Sequence, residues 1–530
     1  MFRLLGLAAL LNLLLLTPLW LRFGGIETRW IALEAVLLMA LLLLLPARRL
    51  AWLRPLLVLA VLLAVLAGLG DAATHLALGR SLNLYLDLPL LRSVFHLLEG
   101  NLGTGVAWAA SLGALLLIAL AGWGLNRGLR AGQRHRPGVA ASLVAALLLV
   151  SSTALMAAQW HHQRWLPVAR APAMDTLRFQ GHQLLETRRA HRDFATRMDE
   201  APTQATALPG LAGRDVLLVF VESYGESSVF DPRFAEVTLP RLAAMDERLA
   251  AAGLSVATGM LEAPIRGGQS WLAHASTLSG LHIDNSLWYR LMLASDRPTL
   301  VDDFRASGHR TLTVMPAITL AWPEGEAYGF DEIHAAADID YAGPPLNWVT
   351  MPDQFTLHHF EQRIRGPAEA PLFAQIALIS SHAPWTPIIP VLDDWDTVGD
   401  GSIFQQWEDA GIPPDELWQD LEQVREHYAR SVDYSLEVSA RWAADSLGDE
   451  ALLILLGDHQ AAPLIIGEEA GYGVPVHVIS GDAALLEPFL ARGFVPGTMP
   501  EPGPATHGLD ALRDWLHEDF GTRSVMRRRQ

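Results

Sequence analysis

"ALLILLGDHQ", residues 451–460, decides the fold. Six apolar residues run up to a glycine, and Asp458 and His459 then stand side by side. A continuous apolar run of this length reads as a strand covered on both faces of a parallel sheet. Aspartate and histidine are seldom buried without a partner, so the end of this strand needs a chemical reason. Two more runs finish the same way: "RDVLLVFVES" (214–223) at Glu222 and "PLFAQIALISSH" (371–382) at His382. "HRTLTVMP" (309–316) and "YGVPVHVISG" (472–481) read as further strands. Helical stretches at 238–253, 297–308 and 415–448 alternate with them. The alternation predicts a doubly wound, mainly parallel α/β sheet from residue 211 onward.

The first 160 residues are of another kind. The chain of 530 residues is 51% hydrophobic, and the excess is concentrated there. Five apolar blocks, near 4–22, 30–46, 52–70, 105–124 and 138–158, are expected to span a bilayer, which takes about 20 helical residues. Arg48, Arg49 and Arg54 lie in one connecting loop, and Arg127, Arg130, Arg134 and Arg136 in another on the same side. The positive-inside rule makes that side cytoplasmic. The N-terminus is then inside, and everything after residue 160 is outside, in the periplasm of a bacterial cell. An interfacial helix is expected within 71–104; Glu34, an acidic residue at the end of a span, is expected to snorkel to the nearby surface, with a functional role as the alternative. Residues 161–210 read as an amphipathic juxtamembrane helix and linker, and 211–530 as the extracytoplasmic domain. A net charge of −18 argues against nucleic-acid binding. The absence of cysteine excludes disulfides, thiolate metal sites and cysteine nucleophiles.

In open parallel sheets, ligands bind at the carboxyl ends of the strands. Glu222, Asp458 and His459 offer carboxylate oxygens and an imidazole nitrogen, the donors a divalent cation takes. Such a cation would also stabilise the buried charges. "EAPIRGGQSWLAHASTLSGL" (262–281) supplies a hydroxyl: two glycines turn the chain and Ser270 opens a helix. Free amides and the helix dipole favour negative charge there. Ser270 read alone is an N-cap; in company with the metal donors it is a candidate nucleophile. His274, one turn later, and Arg266, a guanidinium suited to phosphate, are candidate substrate contacts. His477, inside a strand, reads as a core histidine.

"VES", a glycine-preceded hydroxyl residue opening a helix, "SSH" and "GDH", in that order, resemble the alkaline phosphatase superfamily. The membrane-bound branch of lipoteichoic acid synthases, phosphoglycerol transferases and phosphoethanolamine transferases is the most similar. The resemblance implies one divalent metal (manganese, magnesium or zinc) held by Glu222, Ser270, Asp458 and His459. It implies that Ser270 takes a phospho-head group from a membrane phospholipid through a covalent intermediate and passes it to an envelope glycan or lipid. His382 would act at the donor phosphate or leaving group, and Trp322 would stand near the head group. The family mostly has threonine where this chain has Ser270. The arginine that follows the tryptophan in lipoteichoic acid synthases is replaced by Pro323 and Glu324. A periplasmic phosphodiesterase or sulfatase-like hydrolase, and a weakly catalytic lipid sensor, remain as alternatives.

Overall fold

The computed structural model describes residues 2–23, 25, 29–78, 80–88, 90–132, 138–163, 165–199, 204–320, 322–366 and 370–522. The chain divides into two compact units, residues 1–190 and 191–530. In the first, four helices are long and apolar enough to cross a membrane: α1 (Phe2–Arg22), α3 (Ala47–Leu78), α5 (Thr104–Gly132) and α6 (Val139–Trp160). Leucines such as Leu112, Leu115 and Leu147 stay exposed on them, which suits hydrocarbon rather than water. Arg134 and Arg136 lie outside the described residues.

The second apolar block departs from expectation. It forms a helix of only 12 residues, α2 (Leu33–Leu44), about 18 Å long at ~1.5 Å per residue. The residues before it are extended: β1 (Ile31–Ala32) pairs in parallel with β2 (Ala169–Arg170). Asn12 holds this segment, accepting from Ala32 N at 2.7 Å and donating to the Trp30 carbonyl at 2.9 Å. Glu34 does not snorkel. It is buried, and its carboxylate accepts from Met174 N at 3.0 Å in the first turn of α7 (Pro172–Asp199). Free amides at a helix start attract a carboxylate more strongly than a distant aqueous surface does. Within 71–104, where an interfacial helix is expected, the chain forms the helix α4 (Leu90–Leu102).

The second unit is built on eight strands: β3 (Val216–Val221), β4 (Ser255–Glu262), β5 (Arg310–Met315), β6 (Glu332–Ala335), β7 (Leu372–Leu378), β8 (Leu452–Gly457), β9 (Gly473–Ser480) and β10 (Val495–Pro496). Their order is β10-β4-β9-β8-β3-β7-β5-β6. β8, β3, β7, β5 and β6 are mutually parallel, while β9 runs antiparallel to β8 and to β4. The 472–481 run is thus a strand of opposite direction to the one expected. A run buried on both faces looks the same in either direction. All six residues of β3, VLLVFV, are buried, each apolar side chain contributing roughly 1.5–3 kcal/mol. Three helices matter for the site: α8 (Ser270–Ser279), α9 (Asp353–His359) and α10 (Leu421–Ser446).

Candidate metal centre

Strand adjacency brings the chemistry together. Val221 of β3 stands in register with Gly457 of β8 and with Leu378 of β7. Glu222, Asp458 and the segment leading to His382 therefore leave the sheet at one edge. Gly457 is required here, because a Cβ would collide with the Tyr224 carbonyl. Ser223 takes a left-handed φ of 57°, a rare state for a residue with a side chain. It turns the chain so that its N–H donates to Asp458 Oδ1 at 2.9 Å and its hydroxyl to Glu222 Oε1 at 3.0 Å.

Glu222, Asp458 and His459 are buried, and one donor atom from each lies within 4.8 Å of the others. His459 Nε2 is 3.2 Å from Glu222 Oε1 and 3.8 Å from Asp458 Oδ2. The Ser270 hydroxyl donates to Glu222 Oε2 at 2.9 Å and lies 3.2 Å from His459 Nε2. All four expected residues therefore meet. Outer contacts fix their aim. His459 Nδ1 donates to the Gln460 carbonyl at 2.8 Å, which leaves Nε2 facing the carboxylates. Asp458 Oδ1 also accepts from His459 N at 2.7 Å, leaving Oδ2 for the cluster.

The electrostatics call for a positive charge at this point. Burial alone would lower the His459 pKa, but the carboxylates of Asp458 and Glu222 raise it to about 9. Burial and the Glu222 charge push Asp458 up to about 7. Burial opposes the Glu222 charge too, yet His459 holds its carboxyl well below the usual range. Two carboxylates aimed at one imidazole lone pair repel unless a proton or cation sits between them. Donor types, spacing and the carbonyl-fixed tautomer all fit a divalent cation, so Glu222, Asp458 and His459, with the Ser270 hydroxyl, could hold one.

Ser270 begins α8 after Gly267, Gly268 and Gln269, all at positive φ. Gln269 was not singled out by the sequence. It is buried, and neither its carboxamide oxygen nor its nitrogen has a hydrogen-bond partner among the described residues. A polar residue between a glycine pair and the candidate nucleophile was the signal available.

His382 lies four residues beyond β7, half-buried. Its Nδ1 donates to the Ala383 carbonyl at 2.5 Å, and its ring stacks on Trp348 at 3.5 Å between centroids. Desolvation lowers its pKa, against the pull of the Glu222 charge; with Nδ1 donating to the carbonyl, the neutral ring carries its lone pair on Nε2. Trp348 is the second residue that the sequence did not reveal. The buried Asp353 of α9 anchors the loop, its Oδ1 accepting from Ile379 N (2.7 Å) and Ser380 N (2.9 Å) and its Oδ2 from the Ser435 hydroxyl of α10 (2.6 Å).

The three expected substrate contacts fare differently. His274 is buried against Phe220, its ring 4.0 Å away, with Nδ1 3.1 Å from Gln375 Nε2. Burial drives its pKa down to about 3, and Glu222 and His459 are close enough to act on it. Arg266 is occupied by the fold instead, where its guanidinium donates to the Glu468 and Ala470 carbonyls and lies over Tyr472. Trp322 lies between β5 and β6, folds over Gly325 and packs on the apolar core of one sheet face, with no contact to the metal donors among the described residues. His477 bonds Tyr224 and Thr258 through its two nitrogens, as a core histidine should.

No protein-family model matches the sequence, and no curated protein sequence matches it. Solved structures do match. Lipooligosaccharide phosphoethanolamine transferase A from Neisseria meningitidis aligns at 13% identity and a TM-score of 0.45, over 88% of this chain and 84% of its own. Lipoteichoic acid synthase from Listeria monocytogenes aligns at 14% and 0.35, over 51% of this chain and 66% of its own, just under two thirds. Streptococcus pyogenes phosphoglycerol transferase, solved with sn-glycerol-1-phosphate, aligns at 14% and 0.38, over 64% and 94%. What the chain is similar to, in fold, is a set of phosphoethanolamine and phosphoglycerol transferases and a lipoteichoic acid synthase.

Proposed function

We propose that the chain is a metal-dependent phosphotransferase of the alkaline phosphatase superfamily, moving a phospholipid-derived head group onto an envelope glycan or lipid. One observation carries this reading: the Ser270 hydroxyl at a helix N-terminus lies 2.9 Å from Glu222 and 3.2 Å from His459, inside the donor cluster.

Glu222, Ser270, Asp458 and His459 would hold the metal. When bound, a divalent cation acidifies a coordinated hydroxyl and draws charge from phosphoryl oxygens. The chain's own residues do the rest. Ser270 Oγ attacks the phosphorus of the donor phosphodiester. The bond from phosphorus to the diacylglycerol oxygen breaks, and that oxygen gains the proton given up by Ser270. The first amides of α8 lack intrahelical acceptors and meet the phosphoryl oxygens. In the second half-reaction the acceptor hydroxyl attacks the phosphorus of the phosphoserine, the bond from phosphorus to Ser270 Oγ breaks, and the proton the acceptor gives up reaches Ser270 Oγ by way of His382. His382, neutral and with Nε2 open, takes the acceptor's proton as general base.

The apolar helices suit a donor that lives in the bilayer. The decisive experiment is mass spectrometry of the intact protein after incubation with phospholipid. An adduct with the mass of the head-group phosphate, located on Ser270 and absent in Ser270→Ala, is expected. Undiminished transfer by Ser270→Ala rules this serine out.

A further inference from the structure

The membrane unit holds a cavity of about 700 Å³ that the proposed chemistry does not use. Four arginines, Arg22, Arg29, Arg170 and Arg178, line it against two aspartates, Asp71 and Asp175. The chain has no lysine, so every one of its 39 side-chain cations is a guanidinium. Guanidinium holds a phosphate oxygen pair in bidentate geometry, which ammonium does not.

The four arginines are not equivalent. Arg22, ending α1, is bound to Asp71 and donates to Ser81 Oγ at 2.9 Å. Arg29 lies over the Phe23 ring at 4.2 Å and donates to the Gly25 carbonyl at 3.3 Å. Arg178 donates to the Trp160 carbonyl at 2.9 Å and lies 2.6 Å from His162 Nε2. Among the described residues these partners of Arg29 and Arg178 carry no full negative charge, and four guanidiniums against two carboxylates leave the lining net positive. Leu19, Phe23 and Phe179 give it an apolar wall.

Its depth is marked by its surroundings. The lining comes from the end of α1, from Ser81 after α3, from the end of α6 and from the start of α7. Phe23 in the lining, Trp30 next to Arg29 and Trp160 against Arg178 are exposed, as aromatic residues are at a membrane–water interface. A cationic cavity with one apolar wall at that level matches a lipid phosphate with its glycerol beneath.

We propose that this cavity binds the phosphate of a glycerophospholipid, with Arg29 and Arg178 on its oxygens. The inference stands apart from the metal centre and survives if the phosphotransferase reading fails.

The test uses full-length protein in detergent, carrying Ser270→Ala so that no lipid is turned over. The chain lacks cysteine, so Thr176→Cys in the cavity lining supplies a single thiol for a water-soluble maleimide. Phosphatidylglycerol should slow its labelling at least tenfold, and Arg29→Ala with Arg178→Ala should abolish the protection while the melting temperature holds. Should the double variant melt early, Arg29→Gln and Arg178→Gln singly should each weaken protection. Inorganic phosphate forms the second arm. Protection by the lipid alone supports a lipid site, and equal protection by both supports a phosphate site fed from solution. Protection by neither, or lipid protection indifferent to the arginines, overturns the proposal.

Discussion

Gln269 holds a left-handed backbone and buries a carboxamide without a protein partner among the described residues. An unsatisfied buried amide costs about 1–3 kcal/mol, and a polar group of the substrate would relieve it. Gln269→Ala should therefore lower kcat/KM by about 10- to 100-fold while leaving the melting temperature unchanged or higher. Steady-state kinetics beside a thermal melt checks both halves. Asp458→Asn removes a charged donor, and elemental analysis should find bound metal falling from about one ion per chain to near none, with activity down more than about 10³-fold. Glu222, Ser270, Asp458 and His459 were legible because each interrupts an apolar run or opens a helix. Gln269 and Trp348 carry no such mark; one is revealed by its missing partners and the other by a stacking contact from a distant loop. Arg266 looked like a phosphate ligand because a sequence does not show which carbonyls its guanidinium will meet.

Elements hold these residues in place. The loop bearing His382 hangs on Asp353, which accepts two of its backbone amides. Asp353→Ala strands those amides and should cost at least about 2 kcal/mol, with kcat falling more than KM rises. A second buried anchor, Asp303, accepts from Arg513 (2.8 Å) and Thr206 N (2.7 Å), and its Oδ2 lies 2.8 Å from His517 Nε2. Arg513 in turn reaches the Ser279 carbonyl at 3.1 Å, where α8 ends. Burial would raise the Asp303 pKa, but His517 and Arg513 outweigh it and lower it. A depressed carboxylate adds stability above its unfolded pKa, about 3.9, and that stability is lost as pH falls through the lower folded value. Melts between pH 6 and 3 should show this loss below about pH 4. Asp303→Asn should flatten it and cost about 3–5 kcal/mol at pH 7, because Arg513 is left buried and uncompensated. The strands near the site were readable as apolar runs. β4, β6, the direction of β9 and the shortness of α2 were not, since pairing partners and not local composition determine them.

For the whole molecule, the arginine loops set an orientation that labelling can check. Cysteine placed at Trp165 should react with an impermeant maleimide in cells whose outer layer is opened. Cysteine at Ala47, beside Arg48 and Arg49, should react only after lysis. The reverse pattern would turn the protein over and put the Glu222, Asp458 and His459 cluster in the cytoplasm.

Ser223 and Asp458, hydrogen-bonded across neighbouring strands, are 235 residues apart along the chain. A polypeptide still in extended form brings no such pair together. Under the proposed reading, ion capture waits until β8 docks beside β3, so the ion loaded is set by the pool around the folding domain, and a cell can alter that loading by changing the pool without altering a codon.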